Sequence, residues 1–183
     1  MPERKIERLI CRWRVRAGLA ALILTLAFSR PNPRSLLAFV AVGLIGLLIR
    51  AWASGHLKKD KELATSGPYG FTRNPLYLGN FVLGIGLALG ACSWPALAVF
   101  AAYFLVFYSV TIARERRRMK ELFPDGYADY RSRVPLFFPS LRRPRPSPVK
   151  FSWDLYLKNN EYRALAGTVA VGLLLLAKMM LMS

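Results

Sequence analysis

The sequence predicts an all-α integral membrane protein with about five transmembrane helices. Of its 183 residues, 54% are apolar, yet the formal net charge is +17. Soluble domains do not combine these two properties, so the charges must be segregated from the apolar mass. Long uncharged apolar runs alternate with basic segments along the chain, which is the pattern of membrane-crossing helices joined by polar loops.

Five apolar segments are expected to cross the membrane. They are residues 17–29, 35–54, 76–92, 94–113 and 164–182. The uncharged runs within the first two, residues 17–28 and 36–49, look short for full spans. Arg16, Arg30 and Arg50 lie at or near their ends, where long side chains reach the headgroups. Residues 17–28 also have the length of a signal-peptide hydrophobic region, but no small-residue cleavage site follows, so we expect an uncleaved helix.

The third and fourth segments belong to one apolar run that is about twice the length a bilayer requires. Ser93-Trp94-Pro95 interrupts this run, so we expect an antiparallel helix hairpin. Gly86 and Gly90 are spaced to permit close helix approach, and we interpret them as packing residues. Their spacing does not match a dinucleotide-binding loop.

Basic residues indicate the orientation, because basic loops tend to stay in the cytoplasm. They concentrate before the first helix, between helices two and three, and in residues 114–163, whereas only Arg30 and Arg34 lie in loops on the other face. We therefore expect a protein of the bacterial inner membrane whose N-terminus is cytoplasmic and whose C-terminus is on the opposite side. The same basic loops are expected to contact anionic lipid headgroups, and nucleic-acid binding is not expected.

The long polar segment before the last helix is expected to have a helical part and a connector. Residues 114–139 are predicted to be cytosolic and helical in two pieces, with the fourth helix continuing to Pro124 and a short helix over 126–133. Residues 140–150 are rich in proline and arginine and are predicted to be an extended connector. Because no linker separates a soluble module, we expect residues 1–183 to form a single domain.

Three features carry candidate chemistry, and the first is the stretch GPYGFTRNPLYLG at residues 67–79. Its glycines permit turns and its prolines restrict the backbone, so the stretch is expected to be rigid. It presents Tyr69, Arg73, Asn74 and Tyr77 at the cytosolic end of the third helix. On spacing alone, Arg73 either binds a ligand or reaches a lipid phosphate from a helix start.

The second feature is Glu115, where the fourth helix leaves the membrane. It shares a helical stripe with Tyr108, Ile112 and Met119, so it does not face only water. That position suits a buried or ligand-paired carboxylate. A salt bridge to a neighbouring arginine is the alternative interpretation.

The third feature is a pair of tyrosines, Tyr127 and Tyr130, that lie one helical turn apart. They are expected to form an aromatic lid near the interface, with Arg131 and Arg133 able to bind a carboxylate or phosphate. A plain amphipathic surface helix explains the same pattern. His56 has no evident partner and is expected to face solvent or headgroups, and the sequence has no cluster with metal-ligand spacing.

Together these features resemble the integral-membrane methyltransferases, namely the isoprenylcysteine carboxyl methyltransferases and the related phospholipid N-methyltransferases. The matching residues are Leu63-Ala64-Thr65-Ser66-Gly67-Pro68-Tyr69, Arg73-Asn74-Pro75-Leu76-Tyr77-Leu78-Gly79, Glu115, Phe123, Tyr127, Tyr130, Val134-Pro135 and Pro139. In those enzymes the first block is Arg-His-Pro-x-Tyr and the second is Glu-Glu-x-x-Leu. Here Asn74 replaces the histidine, and Arg116 and Met119 replace the second glutamate and the leucine.

The resemblance implies a bundle of membrane helices with an S-adenosylmethionine pocket at its cytosolic end, open to a lipophilic or membrane-embedded acceptor that is a carboxylate or an amine. It implies catalytic roles for Arg73 and Glu115, and no metal. The implied cofactor-binding residues are Leu63, Ala64, Thr65, Gly67, Tyr69, Asn74, Pro75, Tyr77 and Glu115. The implied substrate-binding residues are Tyr127, Tyr130 and Arg131.

Two other functions fit part of the pattern. An NADPH-dependent membrane sterol or enone reductase resembles these methyltransferases in its C-terminal bundle and pocket, but such reductases usually have more spans before the pocket. A non-catalytic protein that binds anionic lipids fits the composition and topology. A lipid-binding role does not explain the joint spacing of Arg73, Pro75, Tyr77 and Glu115.

Overall fold

A computed structural model of the chain describes residues 5–140 and 148–182, and these residues form helices and turns without a β-strand. The helices are α1 (Lys5–Phe28), α2 (Pro33–Ser54), α3 (Pro75–Ala91), α4 (Trp94–Tyr103), α5 (Ser109–Leu122), α6 (Pro124–Arg133), α7 (Trp153–Lys158) and α8 (Tyr162–Met182). A 3-10 turn, Gly67–Gly70, precedes α3, and a π-helical turn, Phe104–Tyr108, joins α4 to α5. Most of the predicted connector 140–150 lies outside the described residues.

Three of the helical stretches are long and apolar enough to cross a membrane. They are Pro33–Ser54, Trp94–Leu122 and Tyr162–Met182. Helix α3 is apolar but has only 17 residues. Helix α1 begins at Lys5, so residues 5–16, predicted to precede the first helix, are instead part of it. The all-α membrane class is confirmed, with three rather than five helices meeting the length and composition required of a span.

The predicted break between the third and fourth apolar segments is confirmed. Helix α3 ends at Ala91, and Cys92 adopts a left-handed φ of 47°. Ser93 is extended and Pro95 lies in the first turn of α4, where a missing N–H costs nothing. The continuation of the fourth apolar helix into the polar segment is also confirmed, because α5 ends at Leu122.

The chain forms two compact units. Among the described residues, unit 1 comprises 5–43, 84–115 and 169–182. Unit 2 comprises 44–83, 116–140 and 148–168. All the predicted site residues except Glu115 belong to unit 2.

In unit 1, the Phe39 ring of α2 packs against glycines of two other helices. A Cβ on Gly90 of α3 would lie 2.7 Å from the Phe39 Cβ, and one on Gly172 of α8 would lie 2.9 Å from its Cε1. A Cβ on Gly86 would lie 3.2 Å from the Gly43 backbone nitrogen. Small residues permit such close approach of helices in a membrane. The packing role predicted for Gly86 and Gly90 is therefore confirmed.

In unit 2, a buried ion pair joins α2 to the residue that precedes α8. Arg50 donates from Nε to Glu161 Oε1 at 2.6 Å and from Nη2 to Oε2 at 2.9 Å, and from Nη1 to Asn80 of α3. The two charged side chains are 16% and 7% exposed. Gly79 makes room for this arrangement, because a Cβ there would overlap the Arg50 side chain. Arg50, expected to reach the headgroups, is instead held inside the protein.

We expect Glu161→Gln to lower the free energy of unfolding by about 3–5 kcal/mol, because it leaves the buried Arg50 charge without a counterion. The measurement is thermal unfolding of the detergent-purified protein. Glu62→Gln is the matched control, since Glu62 pairs with Lys58 at the surface and exposed pairs contribute at most about 1 kcal/mol. Equal small shifts for both variants would contradict a stabilising role for the buried pair.

Candidate functional site

The candidate site is built on the loop between α2 and α3. Gly67 opens its 3-10 turn with a left-handed φ of 55°, which glycine adopts without strain. Pro68 occupies the start of the turn, and the Phe71 N–H donates to the Pro68 carbonyl at 3.1 Å. Pro75 begins α3 and is fully buried. The turn predicted from the glycines and prolines is therefore present, and its rigidity stays a prediction.

The segment that follows α6 runs beside this loop and holds it. The hydrogen bonds are Arg73 N–H to the Pro135 carbonyl (2.9 Å), Asn74 Nδ2–H to the Leu136 carbonyl (2.8 Å), Thr72 Oγ1–H to the Phe137 carbonyl (2.7 Å) and Ser140 N–H to the Phe71 carbonyl (2.8 Å). Asn74, predicted to contact a cofactor, thus uses its amide nitrogen within the protein. The sequence contains no motif that indicates the contacts of Thr72 with the carbonyls after α6, although Pro135 and Pro139 favour an extended segment there.

The two tyrosines of α6 are interior residues that support the loop. Tyr127 and Tyr130 are 4% and 3% exposed, and their rings meet edge to face with centroids 6.4 Å apart. The Tyr130 hydroxyl donates to the Tyr69 carbonyl at 2.8 Å, and Arg73 Nη1 donates to the Tyr127 hydroxyl at 3.1 Å. Burial raises the pKa of the Tyr130 phenol well above its usual range. Leu63, Met119, Phe123 and Val134 pack around them.

The predicted aromatic lid is therefore wrong, because both rings find polar partners and apolar neighbours inside unit 2. Direct contact of Tyr127 and Tyr130 with a substrate stays a prediction. Leu63, predicted to contact a cofactor, packs against this tyrosine cluster. Among the other predicted cofactor residues, Thr65 is exposed, and Ala64 and Tyr77 are half-buried.

Arg73 is a half-buried cation that forms no ion pair with another described residue. Its Nη1 is bound to the Tyr127 hydroxyl, and its Nε–H is buried without an acceptor in the described part of the chain. Burying an unmatched charge is costly, and an anion supplied from outside the chain removes that cost. The side chain is therefore arranged to receive a negatively charged group.

An open cavity of about 450 Å³ lies beside Arg73. Its lining includes Arg73, Arg131, Ser132, Arg133, Phe138 and Ser140. Arg133 is already paired with Asp129, whereas Arg131 is exposed and has no ion pair among residues 5–140 and 148–182. Two uncompensated guanidinium groups beside serine hydroxyls form a suitable site for a carboxylate or phosphate. The structure thus places Arg73 and Arg131 at one cavity, as anion binding requires.

Glu115 lies on α5 at the end of unit 1 and is half-buried. It forms no ion pair with another described residue, so the salt bridge to a neighbouring arginine is not observed. Its predicted role beside a cofactor stays a prediction.

His56 contradicts the expectation that it faces solvent or headgroups. It is 8% exposed, and its Nδ1 lies 3.0 Å from Ser66 Oγ in the loop. Burial lowers the pKa of its imidazole below the usual value. The contact could not be predicted from the sequence, because His56 and Ser66 meet only when the loop folds back.

One family model and several known proteins resemble this chain. The phospholipid methyltransferase family model matches residues 35–126, which include the loop and Glu115. The chain is 32% identical over 136 residues to the nickel-cobalt-cadmium resistance protein NccN of Alcaligenes xylosoxydans xylosoxydans, covering 70% of this chain and 63% of that protein. It is 34% identical over 108 residues to the cobalt-zinc-cadmium resistance protein CzcN of Cupriavidus metallidurans, covering 56% and 50%.

The chain is also 31% identical over 81 residues to the protein-S-isoprenylcysteine O-methyltransferase of Schizosaccharomyces pombe, covering 44% of this chain and 34% of that enzyme. It thus spans between about a third and just under two thirds of the length of these relatives. No solved structure matches it.

Proposed function

Because the chain belongs to the phospholipid methyltransferase family, we propose that it transfers a methyl group from S-adenosylmethionine to a lipophilic acceptor embedded in the membrane. The observation that carries this proposal is Arg73, a half-buried cation with no carboxylate partner among the described residues, located in the loop that the family model covers. The acceptor is a carboxylate or an amine.

The residues present fit this cofactor. Arg73 offers its buried Nε–H and its unmatched charge to a carboxylate of the cofactor. The resemblance alone supports Glu115, which belongs to unit 1, as a partner for an ammonium or ribose hydroxyls. The backbone of the loop at Leu63–Tyr69 supplies further donors and acceptors. When bound, S-adenosylmethionine supplies an electrophilic methyl group whose leaving group is a neutral sulfide.

The protein's own contribution is alignment in a site of low water content. Arg73 and Arg131 orient the anionic part of the acceptor or of the donor, and the tyrosine cluster fixes the loop behind Arg73. A carboxylate acceptor needs no general base. An amine acceptor must lose a proton, and Tyr130 does not take it, because its raised pKa keeps it protonated as a donor to the Tyr69 carbonyl.

The site is proposed to work at the cytosolic interface of a bacterial inner membrane, with the N-terminus inside and the C-terminus outside. The basic residues of the loops support this orientation. Arg131 and the other exposed basic residues at the proposed cytosolic interface would also bind anionic lipid headgroups.

The test is incubation of the purified protein, in vesicles of native membrane lipid, with S-adenosylmethionine labelled in its methyl group. We expect label in a lipid-soluble product, which mass spectrometry then identifies. Retention of anionic lipid by the protein without any methyl transfer would favour the lipid-binding alternative. Binding of NADPH in place of the methyl donor would favour a reductase, and either result would overturn the proposal.

A further inference from the structure

His56 lies directly behind the 3-10 turn of the candidate site. Its Nδ1 is 3.0 Å from Ser66 Oγ, and its ring packs against the Gly67 backbone. A Cβ on Gly67 would lie 2.6 Å from the His56 Cδ2 and 2.7 Å from its Nε2. The imidazole therefore occupies the space in which a side chain at position 67 would stand, and it does so where the backbone has a φ of 55°.

The turn that carries His56 is held from its other side by residues before α8. The Phe151 and His56 rings meet edge to face with centroids 6.4 Å apart, and a Cβ on Gly55 would overlap the Phe151 ring. The Ser152 N–H donates to the Gly55 carbonyl at 3.0 Å. Asn159 Nδ2 donates to the carbonyls at both ends of the turn, Ser54 and Leu57, at 3.0 Å each.

We propose that His56 is a positioning residue for the methyl donor: supported by Phe151, it holds the backbone of the Gly67–Gly70 turn in the shape that receives S-adenosylmethionine. The inference rests on the proposed function. It also gives a role to residues 151–159, which lie beyond the region that the family model matches.

The test uses two amide variants that differ in which ring nitrogen they imitate. Asparagine places a polar atom near the Nδ1 position and glutamine places one near Nε2, so His56→Asn keeps a partner for Ser66 and His56→Gln does not. The probe is S-adenosylhomocysteine, and its affinity is measured by calorimetry on the full-length protein. Amide hydrogen exchange at Tyr69 and Phe71 is measured without ligand, because both N–H groups close the turn.

We expect His56→Gln to weaken binding of S-adenosylhomocysteine about tenfold and to speed exchange of both amides about tenfold, the effect of losing one hydrogen bond. In His56→Asn, the affinity for S-adenosylhomocysteine and the exchange rates of both amides should stay near the wild-type values. The KM for the acceptor and the melting temperature should change little in either variant. Exchange and affinity unchanged in His56→Gln would overturn the inference alone, whereas a wild-type protein that fails to bind S-adenosylhomocysteine would overturn the proposed function as well.

Three further variants keep the test decisive if His56→Gln does not fold. Ser66→Ala removes the partner of Nδ1 and should reproduce the faster exchange, whereas Ser66→Thr keeps a hydroxyl and should not. Phe151→Ala should also speed exchange in the turn. Wild-type exchange in Ser66→Ala would exclude His56 as the support of the turn, and wild-type exchange in Phe151→Ala would remove residues 151–159 from the proposal.

Discussion

Arg73→Ala should lower kcat/KM for methyl transfer at least about a hundredfold, the usual scale for removing one charge-stabilising group from a site. Arg73 is the half-buried cation of the cavity, and its Nε–H has no acceptor within the described residues. Alanine removes the charge but leaves the backbone N–H that binds the Pro135 carbonyl. The loop should therefore keep its path, and the loss should appear in initial rates of label transfer.

Arg133→Ala is the matched control for this prediction. Arg133 lines the same cavity but is already neutralised by Asp129, so we expect less than about a threefold change. Arg73→Lys keeps the charge but loses the planar guanidinium group. Its kcat/KM should fall between those of Arg73→Ala and Arg133→Ala. Wild-type turnover in Arg73→Ala, or an equal loss in Arg133→Ala, would remove Arg73 from the chemistry.

Glu115→Gln should lower turnover about a hundredfold, mainly by weakening capture of the donor. Glu115 is the first acidic residue after Glu62, and it is half-buried without an ion pair among the described residues. Glutamine keeps the size and the polar atoms of the side chain and removes only the charge. The measurement is the KM for S-adenosylmethionine together with kcat at saturating donor.

Glu121→Gln provides the comparison on the same helix, because Glu121 lies on α5 and is exposed. It removes the same charge from the same helix and should leave both kinetic constants near the wild-type values. If Glu115→Gln and Glu121→Gln behave alike, the effect is one of net charge. The assignment of Glu115 would then fail.

Local chemistry made much of the fold predictable. The uncharged apolar runs predicted the all-α class, and Ser93 and Pro95 marked the break between α3 and α4. The glycines and prolines around Gly67 and Pro75 predicted a rigid turn. These features depend on residues that are adjacent in sequence, so the pattern alone carries the information.

The contacts that could not be predicted from the sequence join residues far apart in the chain. The spacing of Tyr127 and Tyr130 predicts a lid, but both rings are buried and their hydroxyls bind Arg73 and the Tyr69 carbonyl. No residue near α6 in the sequence indicates these partners. The pairing of Arg50 with Glu161 likewise has no local signal. Tertiary partners decide whether a tyrosine or an arginine is inside, and a periodic pattern does not identify them.

The most direct measurement of the central claim is calorimetric titration of the purified, detergent-solubilised protein with S-adenosylhomocysteine. We expect saturable binding to one site per chain with a Kd on the order of micromolar, and a clear loss of affinity in Glu115→Gln but not in Glu121→Gln. Absence of any saturable heat with the folded wild-type protein at millimolar ligand would contradict it.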